Sequence, residues 1–310
     1  MRKKLVAAVL CLVVLLGIPA CGAEEETTAE TDSGKLQVTV TFNAMAEFAH
    51  AVGGDRVAIS TIIPDGSEPH DFEPTAQDLV KLSSAAVFIY NGLGMEAWAY
   101  NAVSAAQNPS LVAVDASDGA EPILNTDAEA SEEHGRYDPH FWLSLKGAEL
   151  EAKNIRDGFI QADPAGKDEY TQNCAAFIGQ LESLYQEYQE KFETVSRKNF
   201  VTGHAAFAYL CRDFGLTQNS VEDVYAEGEP SARQLVRLID YCIQNGVTTI
   251  FAEQTASSEV SETLAAEAGA KVKTIYTIEN TEDGLSYLER MEANLQEIWE
   301  SMTGGGGSAA

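Results

Sequence analysis

The sequence predicts an α/β protein of two lobes, each a small parallel sheet flanked by helices, joined by one long rigid helix. Three observations predict it. Strand-like and helix-like segments alternate from Lys35 to Val114, the alternation then gives way to a long helical stretch, and it restarts at Asn199. Regular β-α alternation favours an open parallel sheet with helices on both faces. At 310 residues the chain can build one large core or two smaller ones.

In the first lobe Leu36–Phe42 alternates apolar and polar residues and is rich in β-formers. Ala44–Val52 reads as a helix, Val57–Ile63 as a strand, Thr75–Leu82 as a helix and Ala86–Tyr90 as a buried strand. Met95–Ala106 follows as a helix and Leu111–Val114 as a short strand. Asp118 to Asp138 breaks the pattern with Gly, Pro, Asn and a concentration of acids, and reads as a loop. Ser144 to Val195 is helical, interrupted near Asp163-Pro164, where proline suits the first turn of a new helix. Its second part, from Ala165, would run roughly 45 Å at 1.5 Å per residue, enough to brace two lobes. The second lobe reads as strand Asn199–Thr202, helix Ala205–Phe214, extended Leu216–Val221, helix Ala232–Gln244, strand Thr248–Ala252, helix Glu259–Ala268, strand Lys271–Tyr276 and helix Leu285–Met302. The lobes therefore span 35–143 and 198–303, with the helical segment 144–197 between them. Residues 304–310, Gly-rich, form a flexible tail.

The N-terminus is a targeting segment. Arg2, Lys3 and Lys4 precede a short apolar run, Leu5 to Leu16, too short for a comfortable membrane span. Ile18-Pro19-Ala20-Cys21 resembles a bacterial lipobox, which makes 1–20 a signal peptide, Cys21 the lipidated residue and 21–34 a flexible tether rich in Glu, Thr, Asp and Ser. An exported protein held by lipid at the outer face of the cytoplasmic membrane is the expectation. The net charge is −28, with 48 acidic residues against 20 basic. Such a surface repels nucleic acid and anionic lipid, which excludes both as primary partners. Cys174, Cys211 and Cys242 remain, an odd number without C-x-x-C spacing, so this is neither a disulfide scaffold nor a cysteine zinc site; one disulfide is compatible with export.

The chemistry points to histidine. The chain has five: His50, His70, His134, His140 and His204. His50 lies inside a helix and reads as structural. His70 in Pro69-His70-Asp71, His140 in Asp138-Pro139-His140 and His204 in Thr202-Gly203-His204 each fall at a loop or strand-to-helix junction, where ligand-binding residues concentrate. Neutral imidazole is a good ligand for zinc and its neighbours.

Pro64-Asp65-Gly66-Ser67-Glu68-Pro69-His70-Asp71-Phe72-Glu73-Pro74-Thr75, Tyr90-Asn91-Gly92-Leu93-Gly94-Met95-Glu96, Asp138-Pro139-His140-Phe141-Trp142, Val201 to Tyr209 and Glu229-Pro230-Ser231 occur in this order. Together they resemble the zinc/manganese family of ABC-transporter solute-binding lipoproteins over about Lys35 to Met302. The resemblance implies a metal held between two lobes by His70, His140, His204 and a carboxylate near the C-terminus. Glu279 is the match, with Glu282 and Asp283 as neighbouring competitors. It further implies a non-enzymatic, monomeric protein that captures a divalent ion and delivers it to an ABC permease. Manganese-preferring relatives usually carry a carboxylate in place of the third histidine, so His204 favours Zn2+ over Mn2+, which remains the alternative cargo. Glu253 and Glu229 are candidates to orient the imidazoles. The loop before His140 has one histidine, His134, where zinc-specific relatives often have many.

Other readings fare worse. A zinc hydrolase fits the ligand count, but no H-E-x-x-H or G-x-S-x-G motif occurs and Glu253 is the sole candidate base. Gly92-Leu93-Gly94 matches a loose dinucleotide pattern yet follows a later strand, so it reads as a turn. An organic-chelate binder would need a basic or aromatic cleft in place of convergent histidines.

Overall fold

The computed structural model describes residues 34–125, 135–224, 231–253, 259–281 and 284–303. The signal segment, Cys21, the tether, His134, Glu229, Glu282, Asp283 and the tail lie outside the described residues.

The first lobe runs β1 (Leu36–Val40), α1 (Asn43–Gly53), β2 (Val57–Thr61), α2 (Ala76–Ser84), β3 (Val87–Tyr90), α3 (Ala99–Ala105) and β4 (Val112–Asp115). Helices α4 (Leu145–Ala162) and α5 (Lys167–Glu193) follow, separated by a 3-10 turn at Pro164–Gly166. The second lobe runs β5 (Asn199–Thr202), α6 (Ala208–Phe214), β6 (Thr217–Ser220), α7 (Ala232–Gln244), β7 (Thr249–Glu253), α8 (Glu259–Ala268), β8 (Lys271–Ile275) and α9 (Tyr287–Thr303). The sheets are ordered β2-β1-β3-β4 and β6-β5-β7-β8. Every pairing is parallel, from Leu36 opposite Val57 to Glu253 opposite Ile275. The two lobes thus repeat one topology, and the two-lobe α/β architecture with its joining helix holds.

Local chemistry sets the element ends. The Thr75 hydroxyl accepts from Asp78 N while the Asp78 carboxylate accepts from Thr75 N, a reciprocal cap that starts α2. Ser231 and Gln234 do the same for α7. Two helices begin three or more residues later than the sequence suggests. Before α3, Leu93 and Gly94 take positive φ, and Asn91 and Gly92 give their N–H groups to the Glu96 carboxylate at 3.0 and 3.1 Å. After β5, Gln218 bonds both His204 O (2.8 Å) and Phe207 N (2.9 Å), and Thr202 Oγ1 donates to His204 O at 2.5 Å. Those main-chain groups are satisfied by side chains, so residues 203–207 stay a loop and α6 starts at Ala208.

Helix α5 spans about 40 Å at 1.5 Å per residue and touches both lobes. Phe177 meets Phe48 of α1 with ring centroids 5.8 Å apart. Farther along, Phe192 meets Phe214 of α6 at 5.3 Å and Tyr188 Oη donates to Gln296 of α9 at 3.1 Å. The main core is shared: one buried cluster runs from Val38 and Phe42 through Trp142, Phe177 and Phe192 to Phe251, Tyr287 and Met302. Trp142 sits at the junction, fully buried, donating its indole N–H to Thr277 O at 2.7 Å while its carbonyl accepts from Tyr287 Oη at 2.6 Å. Two satellite clusters, one per lobe, fill the outer faces around Phe88 and Ile250. Lobes joined through a continuous apolar core hold their relative position more firmly than lobes joined by a linker. Cys174, Cys211 and Cys242 are each buried free thiols. No described helix is long and apolar enough to cross a membrane.

Candidate metal centre

Parallel sheets present their loops at the carboxyl ends of strands, and ligands gather there. His70 lies in the loop after β2, His140 in the chain after β4, His204 two residues past β5 and Glu279 four residues past β8. The structure brings all four together, two from each lobe. One ring nitrogen of each of His70, His140 and His204 lies within 4.8 Å of the others. His70 Nε2 and His140 Nε2 are 3.2 Å apart. Glu279 Oε1 stands 3.8 Å from His140 Nε2 and 4.0 Å from His70 Nε2. Donors at about 2.0–2.1 Å on a tetrahedron around zinc stand about 3.3–3.4 Å apart, so this spacing accommodates such an ion with small shifts.

Each group is held from behind. Asp138 Oδ1 takes both the main-chain N–H and the Nδ1–H of His140, each at 2.9 Å, which turns Nε2 with its lone pair toward the centre. The Glu68 carboxylate accepts from His70 N at 3.2 Å. Glu253, at the end of β7, accepts the main-chain N–H of His204 at 3.2 Å, so it holds the His204 loop through the backbone. A Cβ on Gly203 would stand 2.5 Å from Glu253 Oε2, which is why the carboxylate can lie against this turn. The His204 ring itself donates from Nε2 to Val224 O at 3.0 Å, leaving Nδ1 as the lone-pair nitrogen in this arrangement. Burial, reinforced by neighbouring His140, pushes the His204 pKa down to about 3, so the imidazole is neutral across the physiological range. Glu279 Oε2 accepts from Thr277 Oγ1 at 2.9 Å. Its preceding residue, Ile278, has φ of 62°, a strained conformation for a β-branched side chain, held by burial and by Asn43 Nδ2 on Ile278 O at 3.4 Å.

A further layer reaches His140 from β3. Glu96 is buried and accepts from Thr41 Oγ1 at 2.6 Å as well as from Asn91 and Gly92. Asn91 Nδ2 in turn donates to Pro139 O at 2.9 Å, beside His140. Burial raises the Glu96 carboxyl pKa to about 7. Asp138, Glu68 and the Glu96–Asn91 pair are contributors that the sequence reading did not single out. For Asp138 a signal existed, since an acid two residues before a candidate ligand histidine is within reach of its ring.

A family model described as zinc-uptake complex component A, periplasmic, matches residues 38–301. A putative metal-binding protein of Treponema pallidum is 42% identical over 311 residues, covering 97% of each chain. The high-affinity zinc uptake system protein ZnuA of Bacillus subtilis is 33% identical over 315 residues, covering 97% of this chain and 99% of its own. Among solved structures, a mutant of the laminin-binding adhesin of Streptococcus agalactiae superposes with a TM-score of 0.80 at 33% identity, over 86% of this chain and 99% of that one.

Proposed function

The chain belongs to the family of zinc-uptake complex component A proteins, and from that membership we propose that it is the extracytoplasmic zinc-binding protein of an ABC importer, capturing the ion between its lobes and delivering it to a membrane permease. The observation that carries this reading is the convergence of three imidazoles and one carboxylate from four separated loops, two from each lobe. His70, His140, His204 and Glu279 are the proposed ligands. Three nitrogen donors and one oxygen suit zinc; manganese favours oxygen-rich sites and is the competing cargo. The zinc-uptake name of the Bacillus subtilis relative supports the same choice.

The proposed work is capture without catalysis. Four protein ligands complete a closed tetrahedral shell and leave no position for an activated water, which a hydrolytic zinc requires. Release therefore needs a ligand to move. Because linkage is reciprocal, a permease that favours a conformer with one ligand withdrawn lowers the affinity for zinc. The shared core around Trp142 points to ligand-bearing loops, in place of a wide swing of the lobes, as the parts that move. The segment Arg2 to Cys21 supports export and lipid attachment at Cys21, and the protein acts as a monomer in this reading.

Calorimetric titration of the chelator-stripped protein with zinc and manganese in parallel tests the proposal. One tightly bound zinc per chain is expected, with manganese weaker. Stronger manganese binding would change the cargo, and no stoichiometric binding of either would remove the transport reading. Asp138→Ala is expected to weaken zinc binding about 10–100-fold, the usual cost of losing the group that orients a ligand histidine. Competition with a chromophoric chelator measures it; an unchanged affinity would mean that the His140 ring is oriented without Asp138.

A further inference from the structure

Tyr209 lies on α6 of the second lobe, five residues after His204, and is fully buried. Its hydroxyl does not stay in that lobe. It donates to Asp138 O at 2.7 Å and accepts from Ile123 N at 3.1 Å. Ile123 and Asp138 belong to a short antiparallel pairing in the first lobe, with Leu124 opposite Tyr137, Asn125 N on Arg136 O and Asp138 N on Ile123 O, the last two at 2.9 Å. In a regular ladder Ile123 N would close the pair by donating to Asp138 O. Here the phenol oxygen is inserted between those two atoms and relays the bond. Beyond that point His140 N donates to the Asp138 carboxylate at 2.9 Å instead of continuing the ladder.

Asp138 is also the residue whose carboxylate fixes the His140 ring. The Tyr209 hydroxyl therefore holds Asp138 by its carbonyl while Asp138 holds His140 by its side chain. A continuous set of covalent and hydrogen-bonded links runs from His204 along its own segment to Tyr209, then through Asp138 to His140. Ring contacts keep the phenol in place: Phe141 meets it edge-on at 5.2 Å and the Arg212 guanidinium lies 5.0 Å from its centroid. Burial raises the phenol pKa to about 12, so the proton needed for donation is retained.

We propose that Tyr209 is a positioning residue of the metal centre, its hydroxyl completing the Ile123–Asp138 ladder and thereby coupling the placement of His140 in one lobe to that of His204 in the other. The inference rests on the zinc-binding reading above. Tying a ligand histidine at two removes should govern how long the ion is held more than how fast it arrives, because arrival needs only an accessible site.

The test is Tyr209→Phe, which keeps the ring and its packing and removes the hydroxyl. Tyr185→Phe is the control, since Tyr185 Oη also donates across the molecule, to Asp213 O at 3.2 Å, but has no link to the ladder. Zinc release into excess chelator is expected to accelerate about 10-fold or more in Tyr209→Phe, the scale seen when outer groups of a metal site are lost, with association changed by less than about twofold. In the chelator-stripped protein, amide exchange at Ile123 is expected to accelerate in Tyr209→Phe alone. Zinc release equal to wild type, or an equal change in Tyr185→Phe, would overturn the proposal. So would unaltered exchange at Ile123, and this arm needs no metal. It therefore decides the role of the hydroxyl even if the wild-type protein binds no zinc, an outcome that would instead remove the transport reading.

Discussion

His204→Ala is expected to weaken zinc binding by roughly 10²–10³-fold while leaving the stripped protein folded. Structural zinc sites with four protein ligands are worth about 10–16 kcal/mol near neutral pH, which puts one ligand at about 2.5–4 kcal/mol if shared evenly. The loss to the fold is smaller. His204 is buried, and the hydrogen bond its ring donates to Val224 O is worth about 1 kcal/mol. Its main chain is held independently by Glu253, Gln218 and Thr202, none of which needs the imidazole. Calorimetry on the stripped variant, with thermal unfolding in the same buffer, separates the two effects. A zinc affinity within about threefold of wild type would exclude His204 as a ligand, since even an outer group usually costs more. His204→Asp adds a second arm. An oxygen donor should narrow the preference for zinc over manganese, because manganese gains more from carboxylates than zinc does. An unchanged preference would mean that the identity of this donor does not select the metal.

The histidine cluster was legible in the sequence for a physical reason. A chain with five histidines that places three of them in loops at strand ends has few ways to use them other than together. The alternation of strands and helices carried the topology, because each period reflects one face packed against a sheet. What stayed hidden depends on tertiary approach. The Tyr209 hydroxyl meets Asp138 across 71 positions and no local pattern marks it. Gln218 replaces the first helical bonds after His204, so α6 begins three residues later than periodicity suggests. The continuous core through Trp142 was equally unreadable. The chain length allowed one core or two, and the choice rests on Trp142 and Tyr287 meeting between lobes. Glu253 was placed at a strand end correctly, but its grip on the His204 main chain is a matter of the turn at Gly203.

Glu151→Gln is expected to make the protein more stable relative to wild type as pH rises from 4.5 to 7, by up to about 3 kcal/mol. Glu151 lies on α4 with no exposed surface, and neither carboxylate oxygen has a hydrogen-bond partner among the described residues. Burial, and then the charges of Glu96 and Asp115, push its pKa well above the ordinary 4.5. The sign follows from the unfolded chain. Below pH 4.5 the acid is protonated in both states and costs nothing extra. Above it the unfolded chain releases the proton while the folded chain keeps it, so stability falls as pH rises until the folded group also ionises. Glutamine has nearly the same size and no proton to release, so its stability lacks this slope. Any constant offset from placing an amide at that position cancels in the comparison across pH, as do the titrations of the histidines, which both proteins share. For a chain of this size 3 kcal/mol corresponds to about 5 °C in Tm. Thermal unfolding of both stripped proteins at pH 4.5 and 7 reads the difference. Parallel pH dependences would show that Glu151 ionises as easily folded as unfolded, and hence that water or a cation reaches it. Glu96, raised to about 7 by burial, contributes in the same direction between pH 4.5 and 7. Its network runs through Asn91 to the main chain beside His140, so the ionisation of Glu96 and the geometry of the candidate metal centre share one set of bonds.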